Sequence, residues 1–167
     1  RELPACSLEA GILAQGACDE HRLERDGAAG KLVRLVIESS VAMLELNDPE
    51  RFNSHSAGIC EDMRLAVEHV RMLHGVGSVV VQGAGPHFSV GGNPHAMKGR
   101  VSLTTPAGFA RSLREMYSGA VELRTLPCPV TCAVHGTLVG GGVAWCLHAD
   151  HLSADCASTF EHGNLVR

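Results

Sequence analysis

A chain of 167 residues with 45% apolar and 19% charged side chains is long enough for one globular domain with a sizeable core. Its net charge of −4, with ten histidines counted as neutral, supplies no basic surface for nucleic acid or an anionic membrane. No apolar run approaches the roughly 20 residues of a membrane-spanning helix, and residues 1–30 lack the basic start, apolar run and cleavage site of a secretory leader.

Those first thirty residues mix small, acidic and basic side chains among Gly11, Gly16, Gly27 and Gly30, which predicts a linker or domain edge. From Lys31 the pattern changes. Residues 32–38 and Val41–Leu46 are β-rich runs separated by Ser39 and Ser40, an expected antiparallel pair. Asn47-Asp48-Pro49 ends the second run with turn chemistry. Over 57–74, Ile59, Met63, Ala66, Val70 and Leu73 recur at four- and three-residue steps, the single apolar face of a helix. Gly75 and Gly77 close it ahead of a strand at 78–82, whose Val79-Val80-Val81 centre predicts burial on both faces.

The glycine-rich stretch 83–92 reads as a loop. Thr105-Pro106 is an N-cap followed by proline at the first helical position, opening a helix whose stripe is Phe109, Leu113, Met116, Ala120 and Leu123. Val130–Val134 is a short buried strand, Gly140–Gly142 a tight turn, 143–149 a helix and His151–Ala154 a further strand. Strands alternating with helices predict an α/β fold with a mostly parallel sheet. The seven cysteines are odd in number and form no CxxC pair. Small buried thiols of a reducing, cytoplasmic compartment are expected rather than a disulfide framework.

Two glycine clusters follow two of these strands. Phe88-Ser89-Val90-Gly91-Gly92-Asn93 comes after 78–82, and His135-Gly136-Thr137-Leu138-Val139-Gly140-Gly141-Gly142 comes after 130–134 with a helix starting at once. A glycine turn at a helix start exposes N–H groups without intrahelical partners, and the helix dipole adds partial positive charge there. Taken alone, the clusters fit either an anion site or two ordinary tight turns. No GxxxxGK[ST] occurs and no GxGxxG opens the first βα unit, so neither a phosphate loop nor a dinucleotide fold is indicated. No cysteine or carboxylate pattern supports a metal at His148 and His151.

The order of these landmarks resembles the crotonase (enoyl-CoA hydratase/isomerase-like) superfamily. Leu46-Asn47-Asp48-Pro49-Glu50-Arg51-Phe52-Asn53-Ser54 is similar to its "LNRPxxxNA" segment, and Phe88 to Asn93 to its "FxxGxD". Cys128-Pro129-Val130 through Gly142 is similar to "KPVIAAVxGxxxGGG", followed by Asp150 and a Ser158-Thr159-Phe160 counterpart of "AxF". The resemblance implies that 31–167 is the N-terminal portion of a crotonase-like domain of ββα units whose C-terminal part is missing from this chain. It implies that the N–H groups of Gly92 and Gly141 form an oxyanion hole for a thioester carbonyl. Asn53, Ser54, Val90 and Gly140 would then lie along the substrate or coenzyme arm. No separate cofactor is implied, because the substrate arrives as a thioester of coenzyme A or of a carrier protein's phosphopantetheine. A homotrimer or hexamer is the implied assembly.

Two departures bear on the reaction. Hydratases of that family carry an acid where this chain has Ala144 and another where it has Asn164. Neither residue exchanges a proton, although Asn164 can orient a water or a carboxylate through its amide. Loss of CO₂ from a β-carboxyacyl thioester generates the enolate without a strong base and then needs one proton donor. His95, His135, His148, Glu161 and His162 are the candidates, with Glu161 and His162 expected on a loop lining the acyl pocket. A lyase, decarboxylating or dehydrating as in polyketide β-branching modules, is the expected function. The alternative is a catalytically silent binding or assembly module.

Overall fold

The computed structural model describes residues 31–92 and 105–162. The expected linker at 1–30 and the residues Asn93, His95 and Asn164 lie outside the described residues.

Strands β1 (Val33–Glu38) and β2 (Val41–Leu46) pair antiparallel, as their alternation predicts, from Val33 opposite Leu46 to Glu38 opposite Val41. Ser39 takes a left-handed φ of 55° in the two-residue connection, which keeps the strands' right-handed twist. A single 3₁₀ turn, Pro49–Arg51, leads towards helix α1 (Ala57–Met72), where the Ser56 side chain accepts from the Ile59 N–H. Strand β3 (Ser78–Gly83) then lies parallel to β2. Helix α2 (Pro106–Glu122) is capped by Thr105, whose hydroxyl accepts from the Gly108 N–H at 3.1 Å. Strand β4 (Val130–Val134) joins β3 in parallel, strand β5 (Thr137–Val139) follows, and the glycine turn opens the short helix α3 (Val143–Leu147). Strands β6 (His151–Ala154) and β7 (Thr159–Glu161) complete the described elements. The main sheet has the order β1-β2-β3-β4-β6, parallel from β2 onward, and β5 and β7 form a second, two-stranded parallel sheet.

The core lies between this sheet and the two longer helices. Ile59, Met63, Ala66 and Val70 form the buried face of α1 as their spacing predicts, widened by Cys60 and Val67. They pack among Leu44, Leu46, Val79 and Val81 of the central strands. Gly119 brings α2 against α1, because a Cβ there would stand 2.5 Å from the Cys60 carbonyl oxygen. Gly119→Ala is therefore expected to push the helices apart and cost about 1–3 kcal/mol. Urea unfolding measures this, and an unchanged midpoint would contradict the packing described.

Several expectations are corrected. Val79 and Val81 are fully buried but Val80 is only half-buried, so β3 has one dry face rather than two. Phe109 is 44% exposed, since α2 begins its contact with α1 further along, and Leu123 belongs to a 3₁₀ turn after α2. Thr137–Val139 is a strand inside what reads as a glycine loop, held by pairing with β7. That pairing also places Glu161 in a strand and not on a loop. Helix α3 stops at Leu147, two residues short, and every residue of β6 is exposed, as befits an edge strand. Cys60 and Cys132 are buried and in no disulfide, but Cys156 is exposed. Among the described residues no helix is long and apolar enough to cross a membrane, and no three metal-ligating side chains cluster.

Candidate active site

Three connections meet at the C-terminal ends of the parallel strands: 47–56 after β2, 84–92 after β3 and 135–142 after β4. In parallel sheets this edge is where loops can converge without obstruction from the strands. Asn53 ties the first loop to the second. It is fully buried with a left-handed φ of 51°; its amide donates to the Ala84 carbonyl at 2.8 Å and the His87 carbonyl at 2.9 Å, and its oxygen accepts from the Asp48 N–H at 2.9 Å. The Ser89 hydroxyl donates to the Asn53 carbonyl at 2.8 Å, and the His55 N–H to the Gly91 carbonyl at 2.7 Å. The second loop is tied to the third by Phe88 N–H to the His135 carbonyl at 3.0 Å and Val139 N–H to the Ser89 carbonyl at 3.1 Å.

These ties press the two glycine clusters together. Gly91 has φ +79°, and a Cβ there would stand 2.3 Å from the Val139 carbonyl oxygen and 2.9 Å from the Gly141 nitrogen, so only glycine fits. The contact sets Gly92, which is exposed, beside Gly141, which is half-buried. A Cβ built on Gly141 would lie 3.3 Å from the Gly92 nitrogen, 3.3 Å from His55 Nδ1 and 3.2 Å from the Tyr117 hydroxyl. Four polar groups thus surround one small volume: two amides, an imidazole and a phenol. Neither the Gly92 nor the Gly141 N–H donates to a described residue. Unpartnered amides at one point suit an acceptor carrying negative charge.

His55 lies behind this point, 1% exposed. Its ring stacks on Trp145 with centroids 4.7 Å apart and planes at 10°, and it meets Tyr117 edge-on at 5.1 Å and 67°. Nδ1 is 3.0 Å from the Gly141 carbonyl, so Nδ1 carries the proton and Nε2 the lone pair. Burial lowers the His55 pKa from 6.5 to about 4, against the opposing contact with Gly141. The ring is neutral at pH 7 and pins the glycine turn through its carbonyl. Nε2 of His55 and Nε1 of Trp145 are buried without a hydrogen-bond partner among the described residues.

The profile of the enoyl-CoA hydratase/isomerase family matches residues 36–165. The chain belongs to that family. It is 35% identical over 124 residues to a probable enoyl-CoA hydratase of Mycobacterium tuberculosis, covering 72% of this chain and 43% of the relative. It is 27% identical over 124 residues to the trans-2-decenoyl-[acyl-carrier-protein] isomerase of Streptococcus mutans, covering 74% and 47%. The crystal structure of an enoyl-CoA hydratase/carnithine racemase from Magnetospirillum magneticum superposes with a TM-score of 0.73 at 22% identity, over 79% of this chain and 49% of that one, and shows the shared fold. The chain spans about half the length of the curated relatives it matches.

Within this family member, Gly92 and Gly141 are brought together and Gly140 adjoins them with φ +49°. Val90 is half-buried with its N–H on the Phe52 carbonyl at 3.1 Å, and Ser54 is 5% exposed with its N–H on the Arg51 carbonyl at 3.0 Å. The Asn53 amide is engaged in holding two loops together, so its side chain shapes the site from within. His135 is likewise occupied, with Nε2 2.8 Å from the Gly85 carbonyl. His148 is at the wrong end of the sheet. Its Nδ1 is 2.7 Å from the Ala144 carbonyl, and the adjacent Asp150 accepts from the N–H of Val130, the first residue of β4. Ala144 packs half-buried against the core. His162 is exposed and follows Glu161, the register partner of Val139, so β7 delivers it to the neighbourhood of the glycine turn.

His55, Tyr117 and Trp145 were not apparent from pattern. Trp145 and Tyr117 are the chain's only tryptophan and only tyrosine. Their sole signals were this rarity and a histidine two places after Asn53, and helical periodicity concealed Tyr117 by drawing attention to its neighbour Met116.

Proposed function

We propose that the protein binds an acyl thioester with its carbonyl oxygen between the N–H groups of Gly92 and Gly141, and acts as a lyase passing through the enolate. The observation that carries this reading is the pair of neighbouring amides with no partner among the described residues. Each such donor is worth about 3–4 kcal/mol in a transition state that develops an oxyanion. The relatives' names, an enoyl-CoA hydratase and a decenoyl-carrier-protein isomerase, support a pantetheine thioester, free as coenzyme A or tethered to a carrier.

Ala144 supports decarboxylation over hydration, and equally over dehydration, its reverse. It leaves a methyl group where an acid would activate water. In decarboxylation the Cα–carboxylate bond supplies the electron pair itself, so the hole needs only to hold the resulting enolate. The protein is expected to release CO₂ from methylmalonyl-CoA or a similar β-carboxyacyl thioester and to hydrate crotonyl-CoA negligibly. Coupled CO₂ detection and loss of enoyl absorbance measure the two. Hydration at ordinary hydratase rates would refute the reading of Ala144. Ala144 also favours a second reading, a silent module, and thioester binding without turnover of either substrate would select it.

A further inference from the structure

We infer that the Tyr117 hydroxyl is the proton donor to the α-carbon of the bound acyl chain. The inference rests on the enolate reading above and names the one group that reading leaves open. Tyr117 comes from α2, an element outside the glycine loops, yet its hydroxyl lies 3.2 Å from the point that a Gly141 Cβ would occupy. The Gly92 amide reaches the same point from the other loop at 3.3 Å. A carbonyl oxygen held by the two amides would therefore set the reacting end of the thioester, its α-carbon included, beside a phenolic O–H.

Three histidines that could rival it are otherwise placed. His55 Nδ1 gives its proton to the Gly141 carbonyl, and its Nε2 faces the interior. His135 and His148 are bound to backbone carbonyls away from the hole. Ala144 has nothing to give. The Tyr117 hydroxyl makes no hydrogen bond to a described residue, and its ring is held in place edge-on by His55. The orienting contact is thus made through the ring face and edge, leaving the hydroxyl available for the substrate.

The step balances simply. The Cα–carboxylate bond breaks, CO₂ leaves, and the bonding pair becomes the enolate whose oxygen is held by Gly92 and Gly141. The phenolic O–H bond then breaks, its proton forms the new Cα–H bond, and water reprotonates the phenolate. The transfer runs downhill because an enolate carbon is a far stronger base than a phenolate.

Tyr117→Phe keeps the ring against His55 and removes only the oxygen. With methylmalonyl-CoA in D₂O, the wild-type protein is expected to give α-deuterated propionyl-CoA of one configuration. The variant should turn over about 10²-fold more slowly, with a mixed configuration and an unchanged KM and urea midpoint. A single configuration at an undiminished rate overturns the assignment. Exchange of the α-proton of butyryl-CoA, followed by NMR, separates this from the lyase reading because it needs the hole and an acid–base group but no carboxylate. Should CO₂ release be absent in the wild type while exchange is present and lost in Tyr117→Phe, the tyrosine's role stands and the decarboxylase reading falls. Exchange that is present and equal in the two proteins removes Tyr117 as the proton carrier.

Discussion

Gly141→Ala is expected to lower kcat/KM for thioester turnover by about 10²- to 10³-fold while leaving the urea midpoint nearly unchanged. The backbone at Gly141 is not left-handed, so alanine is conformationally allowed there. Its methyl would contact the Tyr117 hydroxyl at 3.2 Å and the Gly92 nitrogen and His55 Nδ1 at 3.3 Å, tight spacings that ask two side chains and one exposed backbone amide to give by a few tenths of an ångström. The fold therefore accommodates the methyl, but the methyl takes the space in which the polar groups converge. Gly91→Ala offers the contrast. There the left-handed φ and a 2.3 Å approach to a carbonyl oxygen force the loops apart, so both stability and turnover should fall. Steady-state kinetics beside urea unfolding distinguishes the two. Full activity in Gly141→Ala would place the site elsewhere.

The second large effect is on stability as a function of pH. His55 is neutral when folded, with a pKa lowered from 6.5 to about 4 by burial. The unfolded chain binds this proton near 6.5 and the folded chain only near 4, so protonation favours unfolding. The contribution is fully present above pH 6.5 and is lost as pH falls through that window towards 4, amounting to about 3 kcal/mol in total. His55→Phe retains an aromatic ring between Trp145 and Tyr117 and removes the titration. The difference in unfolding free energy between wild type and variant should change by about that amount from pH 7 to pH 4. A difference independent of pH would mean that the imidazole is accessible to solvent protons in the native state. The same substitution releases the Gly141 carbonyl, so turnover should fall as well.

Much of the fold was legible because its signals are local. The alternation of β1 and β2, the stripe of Ile59, Met63, Ala66 and Val70, and the Thr105-Pro106 cap each act within a few residues and appear as expected. The glycine clusters were legible for the same reason, since a tight turn at a helix start leaves a compositional mark. Strand β5 was not. Three residues inside a glycine stretch become a strand only because β7, more than twenty positions on, supplies the hydrogen-bond partners. His148 illustrates the opposite error. Its spacing from Ala144 is helical, but α3 ends at Leu147 and the His148 ring turns back onto the Ala144 carbonyl.

By itself the sequence determined the family, the α/β order of elements and the two glycines at the centre of the candidate site, because turn chemistry and apolar periodicity are written into neighbouring residues. Only the tertiary structure decided what surrounds those glycines. Asn53 becomes a clamp because two loops close over its amide, and His55, Tyr117 and Trp145 become one cluster because α1's approach, α2 and α3 bring them within about 5 Å. Burial then makes the imidazole neutral, while the phenol stands beside the amides. Contacts between residues so far apart in the chain carry no periodicity, so they exist only once the core has packed.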